Sequence, residues 1–334
     1  MVEVTKTETN SEHTAVATCP PGTHVVSGGG LTGLTSSLGR PALNASGMSG
    51  NGWSVTGHVL GTTTYPVTAY AYCGTNDLHL TPFTGDEGTG QPRATATVAC
   101  ATGTAVSGGG AMTATYGYMS AYAKLANGWR TAADSRFDGG SSGTQSTATR
   151  ANVNCTPERY VLTTASQSAA IAANRIVDVT AKCPPGTAVV SGGGEAGGTN
   201  ASDYAYLYNS QLANIPANAN GWRVDAESGP LSGTTVIAYA YCVRLPNTTI
   251  TSVHVKSKKR KATFGFRGTT GEGGPRFQCS LDGKPFAACT SPKTYKKLKF
   301  GQHTFAVRAL DPARRVDPSP ATRSFKIKKP KKKK

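Results

Sequence analysis

The chain has 334 residues, of which 40 are Gly and 37% are hydrophobic, and this lean composition favours several small β domains over one large core. The formal net charge is +17, but residues 1–250 hold 12 basic and 14 acidic residues, whereas residues 251–334 hold 23 and 4. The first three quarters of the chain therefore have no electrostatic attraction for nucleic acid. No apolar run is long enough to span a membrane, and no secretory signal is visible at the beginning of the sequence.

A unit built on two cysteines occurs three times in the first part of the chain. Each copy begins with a Cys-containing strand that leads into Ser-Gly-Gly-Gly, passes through Asn-Gly-Trp, and closes with a strand that ends in Cys. The opening cysteines recur after 81 and then 83 residues. We therefore predict three homologous β repeats, at 1–80, 94–160 and 176–246. Residues 74–93 are expected to form a loop-rich linker. Residues 165–175 are expected to form an extended connector, with a short helix as the alternative.

Within each repeat, apolar residues alternate with polar ones at a period of two, which is typical of strands. The cysteines share a strand face with small apolar residues, such as Ala69 and Ala71 beside Cys73, so this face is expected to point inward. Three tryptophans fall on the same side and are interpreted as core anchors: Trp53, Trp129 and Trp222. The predicted fold class is all-β, with the repeats forming either separate sandwiches or one pseudo-threefold body similar to a β-prism.

The segment Ser-Gly-Gly-Gly-Leu-Thr-Gly at 27–33 has the Gly-x-Gly-x-x-Gly spacing of a dinucleotide-binding turn. Thr113 replaces the last glycine in the second copy, and neither a helical pattern nor an acidic residue follows the glycines in the first copy. The sequence therefore argues against a nucleotide site. We instead predict that the glycines form a flat patch on which the tryptophan of the same repeat packs.

The cysteines could serve as metal ligands or form disulfides. The closest pair is ten residues apart and no histidine recurs in the repeats, which is unlike the spacing of a zinc site. One cysteine opens each repeat and one closes it, both on the predicted inner face. This pattern favours three disulfides, with reduced cysteines as the alternative: Cys19–Cys73, Cys100–Cys155 and Cys183–Cys242. Disulfides require an oxidising compartment, so we expect an extracellular or cell-wall-associated protein although no signal peptide is visible.

Tyrosines occupy the face opposite the cysteines in the closing strands of the first and third copies: Tyr70, Tyr72, Tyr239 and Tyr241. On this predicted outer face they would stack on sugars, pack against a neighbouring repeat, or serve only as good strand formers. The segments between Ser-Gly-Gly-Gly and Asn-Gly-Trp differ in length and content, as binding loops on a fixed scaffold do. These segments are 31–50, 111–126 and 195–219.

Residues 247–328 show a different pattern of short alternating strands, with Phe305, Val307 and Ala309 on one face as an example. Five to seven strands in about 80 residues favour an immunoglobulin- or fibronectin-type sandwich. The run Phe-Gln-Cys-Ser-Leu-Asp-Gly at 277–283, with the later His-Thr-Phe-Ala-Val-Arg-Ala strand, resembles bacterial immunoglobulin-like repeats of extracellular actinobacterial-type proteins. The resemblance implies a hairpin disulfide, Cys279–Cys289, and an accessory module without an active site.

The three preceding copies are similar to Cys-Pro-x-Gly…Gly-Gly-Gly repeats of secreted bacterial proteins of unassigned function. This resemblance implies a secreted setting and carries no activity over to the chain.

The basic residues concentrate in the last unit and in the terminal segment 329–334, which is predicted to be a disordered polycationic tail. Such a segment is attracted to polyanions, and we expect an anionic cell-wall polymer or a membrane surface as the partner. Aromatic residues do not alternate with the lysines, so specific nucleic-acid binding is not predicted. The candidate contacts are Lys258, Lys259, Arg260, Lys261, Lys328, Lys329 and Lys331.

The sequence contains no Gly-x-Ser-x-Gly, His-Glu-x-x-His or Walker motif, and we expect neither an enzyme nor a cofactor or metal. Asp225 and Glu227 share a strand face, but only in the third copy. Two function classes remain. The first is a non-catalytic structural or adhesive surface protein that attaches through its basic C-terminal module. The second is a lectin-like protein that binds a glycan through the outer tyrosines and the variable segments.

Overall fold

The computed structural model describes residues 2–9, 13–33, 41–58, 65–75, 78–114, 117–135, 146–157, 161–198, 204–213, 220–229, 233–271, 274–311 and 314–330. The regular elements among these residues are 26 β-strands and one short 3-10 helix, so the protein is all-β as predicted. The chain divides into two compact units, Met1–Val243 and Arg244–Lys334.

The first unit contains the strands of the three repeats. The first repeat forms β1 (Val2–Glu8), β2 (Thr14–Thr18), β3 (His24–Thr32), β4 (Ala42–Met48), β5 (Gly52–His58) and β6 (Val67–Gly74). The second forms β7 (Thr81–Thr84), β8 (Gly88–Gly90), β9 (Arg93–Ala99), β10 (Thr104–Met112), β11 (Tyr118–Leu125), β12 (Gly128–Asp134) and β13 (Thr147–Thr156). The third forms β14 (Leu162–Ile171), β15 (Ile176–Lys182), β16 (Thr187–Gly198), β17 (Ala205–Leu212), β18 (Gly221–Ser228) and β19 (Thr234–Arg244).

The three repeats share their sheets. The strand orders are β1-β6-β3-β17-β18-β15, β2-β5-β4-β10-β13-β7 with β8 also paired to β13, and β14-β19-β16-β11-β12-β9. Each sheet thus joins half of one repeat to half of another, through the pairs β3–β17, β4–β10 and β16–β11. Because each sheet combines strands of two repeats, the repeats do not form separate sandwiches, one of the two arrangements that the sequence left open.

A ring of serine hydrogen bonds links the three repeats. The hydroxyl of Ser27 donates to the carbonyl oxygen of Val190 at 2.6 Å, Ser107 to Val26 at 2.8 Å, and Ser191 to Val106 at 2.5 Å. The ladders of β3 and β10 shift register at Val26 and Val106, and such a bulge releases a carbonyl group from strand pairing. Ser107 and Ser191 therefore each contact the bulge of another repeat, and Ser27 contacts the equivalent Val190.

The glycines after these serines make room for buried side chains and backbone. A Cβ atom on Gly28 would lie 2.1 Å from Trp53, one on Gly192 2.1 Å from Trp222, and one on Gly108 2.4 Å from Trp129. All three tryptophans are fully buried. The prediction that the glycines form a flat patch under the tryptophan of the same repeat is therefore confirmed, and the motif has a packing role rather than a cofactor role.

Four disulfides are present, and their partners are the expected ones: Cys19–Cys73, Cys100–Cys155, Cys183–Cys242 and Cys279–Cys289. In each repeat the disulfide joins two different sheets, because the opening cysteine follows β2, β9 or β15 and the closing cysteine lies in β6, β13 or β19. The cross-link therefore fastens the two halves of a repeat to each other.

One sequence interpretation of a connecting segment is wrong, and another is correct only in its extended backbone. The expected linker at 74–93 contains β7 and β8, which pair with β13, because Gly and Pro residues are tolerated in these short strands at the sheet edge. The expected connector at 165–175 is extended as predicted, but most of it belongs to β14, which pairs with β19. The variable segments also contain strands, namely β4, β11 and β17, and parts of them lie outside the described residues.

The second unit is a sandwich of two sheets, as predicted. Its strands are β20 (Asn247–Lys256), β21 (Lys261–Thr269), β22 (Arg276–Leu281), β23 (Ala287–Cys289), β24 (Lys293–Tyr295), β25 (Gly301–Leu310) and β26 (Ala321–Ile327). The sheets are β20-β21-β24 and β23-β22-β25-β26. Between them, the rings of Phe264 and Phe305 stack with centroids 4.1 Å apart, and Phe325 meets Phe264 edge-on at 5.1 Å. This aromatic core fixes the strand ends that carry the charged residues described next.

Candidate polyanion-binding surface

Three basic segments meet at one end of the second unit. The first runs from the end of β20 through the 3-10 helix at Ser257–Lys259 to the start of β21, the second leads from β24 into β25, and the third comprises the end of β26 and the residues after it. Their Lys and Arg residues are named here the basic end: Lys256, Lys258, Lys259, Arg260, Lys261, Lys296, Lys297, Lys299, Lys326, Lys328 and Lys329.

Hydrogen bonds hold these three segments together. The backbone N–H of Lys328 donates to the hydroxyl of Ser257 at 3.1 Å, which joins the third segment to the first. Arg260 has a left-handed backbone with φ +47° and closes the turn by donating its N–H to the Ser257 carbonyl. The N–H of Leu298 then donates to the Arg260 carbonyl at 3.1 Å, while the Arg260 guanidinium donates back to the Leu298 carbonyl. The positions of the cations therefore follow from the backbone of the fold.

The charges of the basic end are exposed and not neutralised. Ten of its eleven side chains are exposed, and Lys261 is half-buried. The three segments contain no Asp or Glu, and none of these cations forms an ion pair with a carboxylate of the described residues. Neighbouring unit charges about 7 Å apart in water repel by about 0.6 kcal/mol per pair. A polyanion bound at this end would relieve that repulsion and release its own counterions.

The structure brings together most of the residues that the sequence singled out for polyanion contact. Lys258, Lys259, Arg260 and Lys261 lie beside Lys328 and Lys329, whereas Lys331 and the rest of the predicted tail from 331 onward lie outside the described residues. The sequence interpretation missed the second segment, with Lys296, Lys297 and Lys299. Its signal was the run Lys-Lys-Leu-Lys at 296–299, which becomes part of the surface only through the contact with Arg260.

A buried histidine supports the second segment from below. Nδ1 of His303 lies 2.8 Å from a carboxylate oxygen of Asp282, and Nε2 lies 2.8 Å from the carbonyl oxygen of Lys299. Both neighbours accept hydrogen bonds only, so both ring nitrogens donate when the imidazole is protonated. The Lys299 carbonyl, followed by Asp282, raises the pKa of His303 above its usual 6.5. Burial would raise the pKa of Asp282, but hydrogen bonds from His303 and the Thr304 N–H hold it lower.

Protonated His303 is expected to stabilise the loop at 296–300. Because its folded-state pKa lies above the unfolded value of 6.5, this contribution is complete below pH 6.5 and is lost as the pH rises through the folded-state pKa. Amide hydrogen exchange of this loop, corrected for the intrinsic rate, should therefore become faster as the pH rises above about 6.5. His303→Gln should remove the pH dependence, and an NMR titration that gave His303 a pKa at or below 6.5 would contradict the expectation.

The predicted outer tyrosine face is wrong for two of its four members. Tyr72 and Tyr241 are each 1% exposed, because another repeat covers this face. The Tyr72 hydroxyl accepts the N–H of Leu212 at 2.7 Å and its ring meets Trp222 edge-on. Tyr241 repeats the arrangement with the N–H of Lys124 and the ring of Trp129. These two residues form part of the contact between repeats and cannot stack on an external sugar.

The other two tyrosines, Tyr70 and Tyr239, are half-buried. The Tyr239 hydroxyl donates to a carboxylate oxygen of Glu195 at 3.3 Å, and Arg130 pairs with the same carboxylate at 2.7 Å. Burial, followed by the charge of Glu195, raises the pKa of Tyr239. This polar cluster lies where β16 of the third repeat pairs with β11 of the second, so its hydrogen bonds also join two repeats.

The two acids of β18 are buried and already have partners. The guanidinium of Arg223 donates to Asp225 at 2.7 Å, and the side-chain amide of Asn209 donates to the same carboxylate at 2.8 Å. Glu227 accepts the hydroxyl hydrogen of Tyr206 at 2.6 Å. No group of three or more His, Cys, Asp or Glu that could hold a metal ion occurs in the described part of the chain. Within that part, no helix has the length and apolarity needed to cross a membrane.

Comparison with known proteins finds similarity at the level of structure alone. No protein-family model matches the chain, and no curated protein is significantly similar to it in sequence. A structure of the fibronectin(III)-like modules of CbhA from Clostridium thermocellum aligns with 48% of this chain and 94% of its own, at 14% identity and a TM-score of 0.21. The tripod from the baseplate of bacteriophage Tuc2009 aligns with 98% of this chain and 81% of its own, at 10% identity and a TM-score of 0.15. Neither TM-score is high enough to identify a relative of this chain.

Proposed function

We propose that this chain is a non-catalytic structural protein of the bacterial cell surface or extracellular space, and that its second unit attaches it to anionic surface polymers. The observation that carries the proposal is the basic end, where eleven cations from three segments converge without a neutralising acid. Four disulfides support a setting outside the reducing cytosol. In the first unit, the acids of β18 are occupied by protein partners, which supports a structural role for the repeats.

The proposal is tested by neutralising four exposed cations of the basic end in the full chain: Lys258→Gln, Lys259→Gln, Lys328→Gln and Lys329→Gln. Each cation near an anionic surface contributes about 1 kcal/mol, so the combined loss is expected to lower the affinity for inorganic polyphosphate by about two to three orders of magnitude at low salt. Binding of the unaltered chain should also weaken strongly between about 50 and 200 mM salt. Fluorescence anisotropy of labelled polyphosphate measures both effects.

A matched control neutralises four exposed arginines elsewhere on the same unit: Arg267→Gln, Arg276→Gln, Arg314→Gln and Arg323→Gln. The net charge changes by the same amount, so a purely non-specific attraction would fall equally in both variants. If the two variants bind polyphosphate alike, the basic end is not the attachment surface and the proposal fails.

A second candidate function is glycan binding by the repeats. Of the four candidate tyrosines, only Tyr70 and Tyr239 remain available for it. The observation in its favour is the half-buried Tyr239 beside Glu195 and Arg130, a combination of ring and charged groups that also occurs in sugar sites. Binding of the full chain to neutral glycans on an array, lost in Tyr239→Ala and kept in the basic-end variant, would favour this function over the first.

A further inference from the structure

An exposed aromatic side chain, Phe300, directly follows Lys299 of the basic end. Phe300 is 39% exposed, whereas Phe264, Phe305 and Phe325 of the same unit lie in the core. The guanidinium of Arg260 lies over the Phe300 ring, 5.3 Å from its centroid. This cation–π contact fixes the ring while part of its surface stays open to a ligand. An exposed large apolar side chain with a fixed position is a feature that needs an explanation.

Phe300 borders a cavity of about 420 Å³. The other residues that line it are Gly301, Lys326, Ile327, Lys328 and Lys329. Ile327 is buried and supplies an apolar floor beside Phe300, while the three lysines are exposed around it. Gly301 has φ +135° and no neighbour within 4 Å of a Cβ position, so space above it is open. The cavity therefore combines an apolar surface of ring size with cations at its rim, within the size range of ligand sites.

We propose that this cavity is a subsite for one sugar ring of an anionic polysaccharide, with the apolar face of the sugar on Phe300 and its anionic substituent among the lysines. The inference rests on the proposed attachment to anionic polymers and names the chemical class of polymer. The charge complementarity of Lys326, Lys328 and Lys329 selects an anion, and Phe300 selects a polymer that contains rings. The anionic substituent is a phosphate or a carboxylate, since lysine pairs with either as a point charge.

The position of the Phe300 ring at the cavity favours a sugar, rather than a lipid surface, as its ligand. Phe300 lines a cavity and carries a guanidinium over its ring, so insertion into a bilayer would take the charge of Arg260 out of water. Stacking of a nucleobase would use the same ring, but the four disulfides favour a compartment in which nucleic acid is not the main polyanion. Vesicles and single-stranded DNA therefore enter the test as competing outcomes.

The test measures the affinity of the full chain and of Phe300→Ala for four kinds of probe. Inorganic polyphosphate has charge without rings, dextran phosphate and polyglucuronate have charged rings, vesicles of anionic phosphatidylglycerol have no sugar, and poly(dT) has bases. Phe300→Ala should lower the affinity for both ring-containing polysaccharides, or for the one with the correct substituent, by about three- to tenfold. Its affinity for polyphosphate should stay within about twofold. Phe300→Trp, which keeps an aromatic surface, should restore polysaccharide binding.

A matched control is Phe286→Ala. Phe286 is half-buried on the same unit and carries the Arg308 guanidinium 4.2 Å from its ring centroid, but it does not line the cavity. Equal effects of Phe300→Ala on polyphosphate and on the polysaccharides, or no effect on either, would overturn the sugar subsite. A loss confined to vesicles or to poly(dT) would overturn it in favour of those ligands. Failure of the attachment itself is a separate result, because the four-lysine variant would then bind polyphosphate as tightly as the four-arginine control variant.

Discussion

Gly109→Ala is expected to lower the free energy of unfolding of the first unit by about 3 kcal/mol, because it places a Cβ atom against the backbone of another repeat. A Cβ atom on Gly109 would lie 1.7 Å from the carbonyl oxygen of Ser46. Ser46 belongs to β4 of the first repeat and faces β10 of the second in their shared sheet. A flexible side chain could move aside, but a hydrogen-bonded strand cannot move without losing the pairing that joins the two repeats.

The measurement is denaturant unfolding followed by tryptophan fluorescence, since all three tryptophans lie in the first unit. Gly47→Ala is the matched control from the same contact: its Cβ atom would meet no atom closer than Asn152 Nδ2 at 3.5 Å. The control should change stability by less than about 1 kcal/mol, because an alanine also reduces the freedom of the unfolded chain. Equal stability of the two variants would show that β4 and β10 do not approach each other as described.

Cys183→Ala combined with Cys242→Ala is expected to destabilise the first unit by about 4 kcal/mol on the chain-entropy view of a cross-link. The disulfide spans 59 residues, and both cysteines are buried. It joins β19 to the end of β15, which belong to different sheets, so its loss frees the two halves of the third repeat from each other. For a unit whose core is rich in alanine, this is a large part of a typical stability.

The comparison variant removes the short disulfide of the second unit through Cys279→Ala and Cys289→Ala. This loop spans only 10 residues and lies within one sheet. It should leave the tryptophan-monitored transition unchanged, because the second unit contains no tryptophan. A first-unit transition that is insensitive to the loss of Cys183–Cys242 would mean that this cross-link does not limit the unfolded chain.

Much of the first unit follows from its repetition. The period-two alternation predicts the strands, and the single cysteine at each end of a repeat predicts the disulfides. The recurrence of Ser-Gly-Gly-Gly with Asn-Gly-Trp predicts that Gly192 packs against Trp222. These are contacts within one repeat, and three copies of the same pattern make each of them visible in the sequence.

Contacts between repeats were not predictable in the same way. The pairings β3–β17, β4–β10 and β16–β11 each involve two register pairs, which leave no periodic pattern in the sequence. Tyr72 and Tyr241 illustrate the consequence. An amphipathic side chain on the second face of a strand is predicted to be exposed, because the sequence does not show that a neighbouring repeat covers it. The second copy has Asn154 at the corresponding position, and its amide donates to Ser107 instead.

The basic end was predictable in charge but not in extent. Runs of lysine identify Lys258 and Lys328 as candidates, but the adjacency of residues 70 positions apart depends on the packing of β20, β21 and β26. Phe300 was missed for the same reason. One aromatic residue after Lys-Lys-Leu-Lys does not predict a ligand site, because Arg260 and the end of β26 come beside it only in the folded chain.

The shared sheets also set how many copies the first unit can contain. A chain without the third repeat would leave β3 and β11 as open edges, and open edges recruit strands from other molecules. A fourth copy would find the edges that join the repeats, β3 with β17, β4 with β10 and β16 with β11, already paired. The first unit thus resembles a cyclic trimer whose three subunits are joined in one chain. Insertions can lengthen the connections of the unit, but a gain or loss of one whole repeat would break the cyclic pairing of the three repeats.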